Sequence, residues 1–180
     1  MKISLGNEET VREGFSIRED GVLLLRCKIS YTRFDGAQKY NTLYETIASN
    51  CEKWARNVLS VRAREEYLAS TDPQKRFRFG YYEYTLSSYP SGERDGVLCV
   101  VSEVCLSRRG EGIAEISRSS QLWREKDLAL MPDRLILPRA SRRKLWRSVK
   151  KRRPIGLLLR GVDVYAFGAR GSEFWEERII

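Results

Sequence analysis

The chain has 180 residues, with 33 Lys and Arg against 24 Asp and Glu, no histidine, and a formal charge of +9. That length can bury a substantial core, and 42% apolar with 11% aromatic residues excludes a disordered chain. Without histidine there is no Ser-His-Asp or Cys-His nucleophile system, no His-containing zinc site and no imidazole acid or base, which leaves carboxylates, Lys, Tyr and Cys for any catalysis.

The charge is concentrated. Arg139, Arg142, Arg143, Lys144, Arg147, Lys150, Lys151, Arg152 and Arg153 lie within fifteen residues that contain no acid, and the other 24 basic residues balance the 24 acidic ones. No run of ~18 apolar residues occurs, so no membrane-spanning helix is predicted. Residues 1–9 turn acidic before any apolar stretch, so no secretory leader is visible and a cytoplasmic location is expected. Cys27, Cys51, Cys99 and Cys105 show no Cys-x-x-Cys spacing and read as buried, reduced thiols; no metal or other cofactor is expected.

In chain order, Leu23, Leu25, Cys27, Ile29 and Tyr31 alternate with Arg26, Lys28, Ser30 and Thr32, the pattern of a half-buried strand over 21–34. The short segment from Phe15 to Arg18 is expected to pair with it as a hairpin. Tyr40, Tyr44, Ile47, Cys51, Trp54, Val58 and Val61 then recur at steps of four and three, which predicts a long helix with that stripe against a sheet. Thr42 and Glu45 have capping-box spacing, and Thr71-Asp72-Pro73 ends the helix. Residues 75–89 and 97–108 read as two long strands joined by a loop over 90–96. Apolar residues on both sides of the second, interrupted by Glu103, predict a central strand covered on both faces. A polar strand over 113–123 follows, then a connection, the basic segment, and a last strand at 155–167 with a hairpin partner at 174–179. The whole reads as one α+β domain over 1–180: an antiparallel sheet, one long helix packed across it, and a shorter basic helix late in the chain.

Three stretches resemble a bacterial family of domains of unknown function: Phe34 to Trp54, with Tyr40-Asn41-Thr42-Leu43-Tyr44; Phe79 to Leu106; and Gln121 to Ile136, with Asp127-Leu128-Ala129-Leu130-Met131-Pro132-Asp133. Gly161-Val162-Asp163-Val164-Tyr165-Ala166-Phe167 is similar to the family's last strands. The family is represented by the extracytoplasmic domain of anti-sigma factor V and the N-terminal domain of peptidoglycan deacetylases. The resemblance implies an α+β fold and a binding or sensory role, with no catalytic signature. The chain has Arg108-Arg109-Gly110-Glu111-Gly112 where the family carries a His-containing turn, so no lysozyme-binding residue is carried over.

The basic segment is the sharpest functional candidate. Bracketed by Pro138 and Pro154, it places Ala140, Leu145, Trp146 and Val149 inward if helical, and Arg142, Arg143, Arg147 and Lys150 outward. Such a face suits a polyanion or an acidic protein surface, and alternatively nucleic acid, where binding would weaken steeply with salt. The stretch 75–84 mixes cations with rings as single-strand platforms do, although alternating rings are ordinary in a central strand. Glu83, Glu103 and Asp163 are the carboxylates available to a hydrolase, with Arg26 or Arg78 expected to pair with Glu103. Two Ser-x-x-Lys matches, at Ser141 and Ser148, occur at the frequency expected by chance. The expectation is a non-enzymatic binding or sensory domain meeting a protein or polyanionic surface; the alternatives are a nucleic-acid-binding protein and a carboxylate-based hydrolase.

Overall fold

The computed structural model describes residues 8–170 and 173–180; the start of the chain, read above for a leader, lies largely outside them. Six strands form the larger sheet in chain order: β1 (Glu8–Glu19), β2 (Val22–Phe34), β3 (Tyr82–Arg94), β4 (Val97–Arg108), β5 (Gly112–Arg124) and β6 (Ala129–Met131). Every neighbouring pair is antiparallel except β2 and β3, whose parallel register, Leu25 opposite Tyr82 to Tyr31 opposite Ser88, requires a crossover connection. Helices α1 (Gln38–Trp54) and α2 (Ser60–Ala69), continuous through one π turn, and the short α3 (Pro73–Phe77) supply it. A 3-10 turn (Asp133–Ile136) and helix α4 (Arg142–Lys151) lead to a smaller sheet of β7 (Gly156–Arg160), β8 (Asp163–Arg170) and β9 (Glu173–Arg178).

The central strand β4 is covered on both faces. Leu98 and Val100 belong to the core beneath the long helix, with Ile29, Tyr40, Tyr44, Leu86 and Trp123. Val97, Cys99 and Val101 belong to a second core, with Leu157, Leu159, Val164, Phe167 and the helix residue Val149. In the first, the Trp123 indole donates to the Tyr44 hydroxyl at 3.2 Å, and that hydroxyl donates to Gln121 at 2.5 Å, so the polar tips buried with the rings are partnered.

The helix stripe is only partly the one the spacing predicts. Tyr40 and Tyr44 are buried, but the face continues through Ala48, Ala55, Leu59, Ala63 and Tyr67, while Trp54, Val58 and Val61 are 40%, 50% or more exposed. The cause is the π turn Ala55–Leu59, whose wider winding rotates everything after it. Three alanines on the buried face let the helix approach the sheet closely. The helix also starts earlier than a Thr42 cap would set: it begins at Gln38 without a side-chain cap. Asn41 instead bonds both the N–H and the C=O of Phe34, at 3.0 and 2.9 Å, and so fixes the turn from β2 into α1.

Three further readings change. Residues 73–77 are helical, with Asp72 accepting from the Gln74 N–H at 2.9 Å as the cap, so the strand begins only at Tyr82. The expected loop over 90–96 is mostly strand: β3 runs to Arg94 with an irregularity between Pro90 and Gly92, and the turn is Asp95-Gly96, both at positive φ, the two-residue hairpin geometry. The last expected strand is split into β7 and β8 by a turn at Gly161.

The two sheets meet at glycine. Gly161 accepts from the Glu93 N–H and donates to the Ser91 C=O, each at 3.1 Å, and a Cβ on Gly92 would come within 2.3 Å of the Gly161 oxygen. Only a residue without Cβ allows that approach. Among the described residues no helix is long and apolar enough to cross a membrane.

Candidate functional site

Helix α4 carries the basic segment. At ~100° per residue, Leu145, Trp146 and Val149 share one side of a helix, and Arg143, Lys144, Arg147, Lys150 and Lys151 share the other. Val149 is buried and Leu145 and Trp146 half-buried in the second core, whereas those five cations are exposed. Pro154 and the left-handed backbone of Arg153 (φ 51°) end the helix.

Not all nine basic residues are equivalent. Arg142, expected to point outward, falls beside Val149 on the inward side. Its guanidinium donates to the carbonyls of Leu137, at 3.0 and 3.1 Å, and Leu135, at 3.2 Å, tying the 3-10 turn to α4. Arg152 pairs with Glu177 of β9. Lys150 lies 5.7 Å from the centre of the Trp146 ring. Arg139 lines a shallow hollow with Asp95, Arg124 and Lys126. Arg143, Lys144, Arg147, Lys151 and Arg153 form no ion pair among the described residues and are the open part of the surface. Ala140, expected inward, is exposed.

This helix is built against its own electrostatics. Its first turn holds Arg142, Arg143 and Lys144 and no acid, where the N-terminal end of the helix dipole favours negative charge. Arg143 with Arg147 and Arg147 with Lys151 are like charges four apart, a further destabilising arrangement. Helix stability therefore does not account for this charge.

The carboxylates the sequence offers are each held by a cation. Glu103 accepts from Arg118 Nε at 2.6 Å, not from Arg26 or Arg78, because the β4–β5 register sets Arg118 directly opposite it. Arg118 also pairs with Glu176, and Glu176 with Arg160 at 2.6 Å, along a cleft of about 330 Å³ between the two sheets. Glu83 pairs with Lys28 at 2.5 Å and Asp163 with Arg178 at 2.9 Å. The structure thus distributes Glu83, Glu103 and Asp163 among separate ion pairs and does not assemble them into an acid–base pair. Among the described residues no three Cys, Asp or Glu side chains converge as metal ligands would.

The cysteines are free, with Cys27 and Cys99 buried and Cys51 and Cys105 half-buried rather than fully enclosed. Burial pushes the Cys27 thiol up from 9.0 to about 11 and raises Cys99 and Cys105 as well, so these are poor nucleophiles at neutral pH.

The aromatic–cation stretch 75–84 divides. Tyr82 and Tyr84 are core residues, while Phe77, Phe79 and Tyr81 line an open cleft of about 570 Å³ with Arg18, Arg26 and Arg109, none adjacent to the stretch in sequence. Sequence reading missed this cleft because its cations come from β1, β2 and the β4–β5 turn.

No protein-family model and no curated protein matches the chain. Among solved structures it is similar to a DUF3298 family protein from Pseudomonas aeruginosa PAO1, with a TM-score of 0.55 and 12% identity over 95% of this chain and 89% of that one. At that identity the likeness is one of fold. It is consistent with a bacterial domain of unknown function.

Proposed function

We propose that the chain is a non-enzymatic binding or sensory domain that meets a polyanionic surface through the exposed side of α4. The observation that carries this reading is the row Arg143, Lys144, Arg147 and Lys151, open to solvent and without acidic partners, on a helix whose own stability that charge opposes. The apolar side of α4 seats the row on the second core, so the cations are displayed from a packed element. A sensory role is what the resemblance to anti-sigma factor V adds, and it applies to the domain as a whole. Carboxylates engaged by Lys and Arg, and thiols held protonated by burial, favour binding over catalysis.

The test is fluorescence anisotropy with a labelled heparin oligosaccharide, a polyglutamate peptide and duplex DNA from 50 to 300 mM salt. The wild-type chain binds at least one of these at 50 mM, with affinity falling steeply as salt rises. Arg143→Ala/Lys144→Ala/Arg147→Ala/Lys151→Ala weakens that binding at least tenfold while the melting temperature holds. Absence of binding to all three probes, or equal binding by the variant, overturns the proposal.

A further inference from the structure

A second cationic surface lies at the opposite end of β4. Val97, where that strand begins, belongs to the core that α4 completes, whereas Arg109 follows the strand's last residue. There Arg18, Arg26 and Arg109 face Phe77, Phe79 and Tyr81 across the 570 Å³ cleft. The guanidinium carbons of Arg26 and Arg109 lie 5.3 and 5.7 Å from the centre of the Tyr81 ring, close enough for cation–π attraction. None of the three arginines forms an ion pair among the described residues; Arg18 donates to the Gly21 carbonyl at 2.9 Å. The one acid in the lining, Asp20, accepts from the Tyr67 hydroxyl at 3.2 Å. The lining therefore holds three guanidiniums against one carboxylate.

Phe77 is the feature that surface packing does not explain. It is 82% exposed, the most exposed of the large apolar side chains, on a helix too firmly held to be a loose end. Asp72 caps α3, and Arg76 ties it to the end of α2 by donating to the carbonyls of Ser70 at 2.5 Å and Leu68 at 3.2 Å. Behind it Phe79 stands edge-on to Tyr67 at 5.8 Å, with the Arg108 guanidinium 5.4 Å from its ring. One exposed ring on a fixed support, a second ring flanked by cations and unpaired arginines around them form a surface that stacks a flat base and holds the phosphate attached to it.

The geometry points to this cleft as a binding site for a nucleobase carrying a phosphate, either within a single strand or as a mononucleotide. It is independent of α4, since it shares no residue with that helix and needs an aromatic ligand as well as an anionic one.

The experiment uses the full chain with a labelled dT12 oligonucleotide, read by anisotropy between 50 and 300 mM salt. Wild-type protein binds; Phe77→Ala weakens binding roughly fivefold or more, and Arg109→Gln lowers the salt slope by about one. Phe77 is exposed, so melting curves of that variant overlay the wild type and a folding defect does not confuse the result. Inorganic polyphosphate, an anion without a base, binds Phe77→Ala and wild type alike. Competition by UMP at concentrations matching its own measured affinity identifies a mononucleotide site, and failure of UMP to compete identifies a strand site; each supports the inference. The α4 quadruple variant retains the Phe77→Ala effect. The inference is overturned if dT12 does not bind at 50 mM salt, if neither cleft variant changes its affinity, or if Phe77→Ala weakens polyphosphate as much as dT12.

Discussion

The two cationic surfaces of this molecule are made in different ways. On α4 the charges are consecutive in the chain, share one side of a helix and have no aromatic plates among them except Trp146, which is half-buried. In the cleft near Tyr81 the cations come from β1, β2 and the β4–β5 turn, and they surround rings held on α3 and the segment after it. The first arrangement supplies charge density alone, which suits any polyanion and is screened by salt. The second supplies charge together with exposed π faces, which restricts the ligand to a flat anion. Net charge reports only the first, since the cleft's arginines are offset elsewhere by the balanced remainder of the chain.

The comparison assumes that α4 rides on a small sheet fused to the large one, and Gly92 is where that assumption breaks most easily. Gly92→Ala sets a Cβ against the Gly161 oxygen and is expected to cost about 2–4 kcal/mol, read as a lowered urea midpoint. An unchanged midpoint would mean that the sheets are not joined there. Next in size, Arg142→Ala removes the hydrogen bonds to Leu135 and Leu137 and is expected to cost roughly 1.5–3 kcal/mol, whereas Arg143→Ala stays within about 0.5 kcal/mol. Heparin affinity should respond more to Arg143→Ala than to Arg142→Ala among folded protein. Equal stability of the two variants would remove the distinction drawn between structural and displayed cations on α4.

A smaller effect comes from pH. Burial raises Cys27 from 9.0 to about 11 and also raises Tyr40 and Tyr44, so the unfolded chain loses these protons first. Their contribution to stability is complete below about pH 9 and declines as pH rises toward 11. Thermal melts should show a falling midpoint over that window, and Cys27→Ser should reduce the slope. The smallest change is expected for heparin binding between pH 5.5 and 8.5. With no histidine in the chain, and sulfates on the probe, affinity should be nearly flat there; a transition near pH 6.5 would contradict a site made of Lys and Arg alone.

Much of the architecture was legible in local pattern. The alternation of β2, the two-faced apolar composition of β4 and the continuous helix after Gln38 each follow from side-chain period, which packing preserves. What local pattern did not carry was a change of phase. The π turn Ala55–Leu59 adds winding without any Gly or Pro to mark it, so Trp54, Val58 and Val61 read as core and stand in solvent. The Asp95-Gly96 turn had a usable signal, the Asp-Gly pair between apolar runs, and Pro90 drew attention away from it. At the candidate site, nine basic residues were visible as a run, but Arg142's inward role depended on where the carbonyls of Leu135 and Leu137 would end. The Tyr81 cleft had no signal in the chain at all, because register alone brings Arg18, Arg26 and Arg109 near one ring.

The central claim is that α4 displays a polyanion-binding face distinct from every other cationic surface on the molecule. Amide chemical-shift mapping of the full chain during titration with a heparin oligosaccharide tests it most directly. The account predicts that the largest shifts cluster at Arg143, Lys144, Arg147 and Lys151, while Phe77 and Tyr81 stay in place. Shifts centred on Phe77, Tyr81 and Arg109, or spread evenly over the exposed lysines and arginines of both sheets, would contradict it.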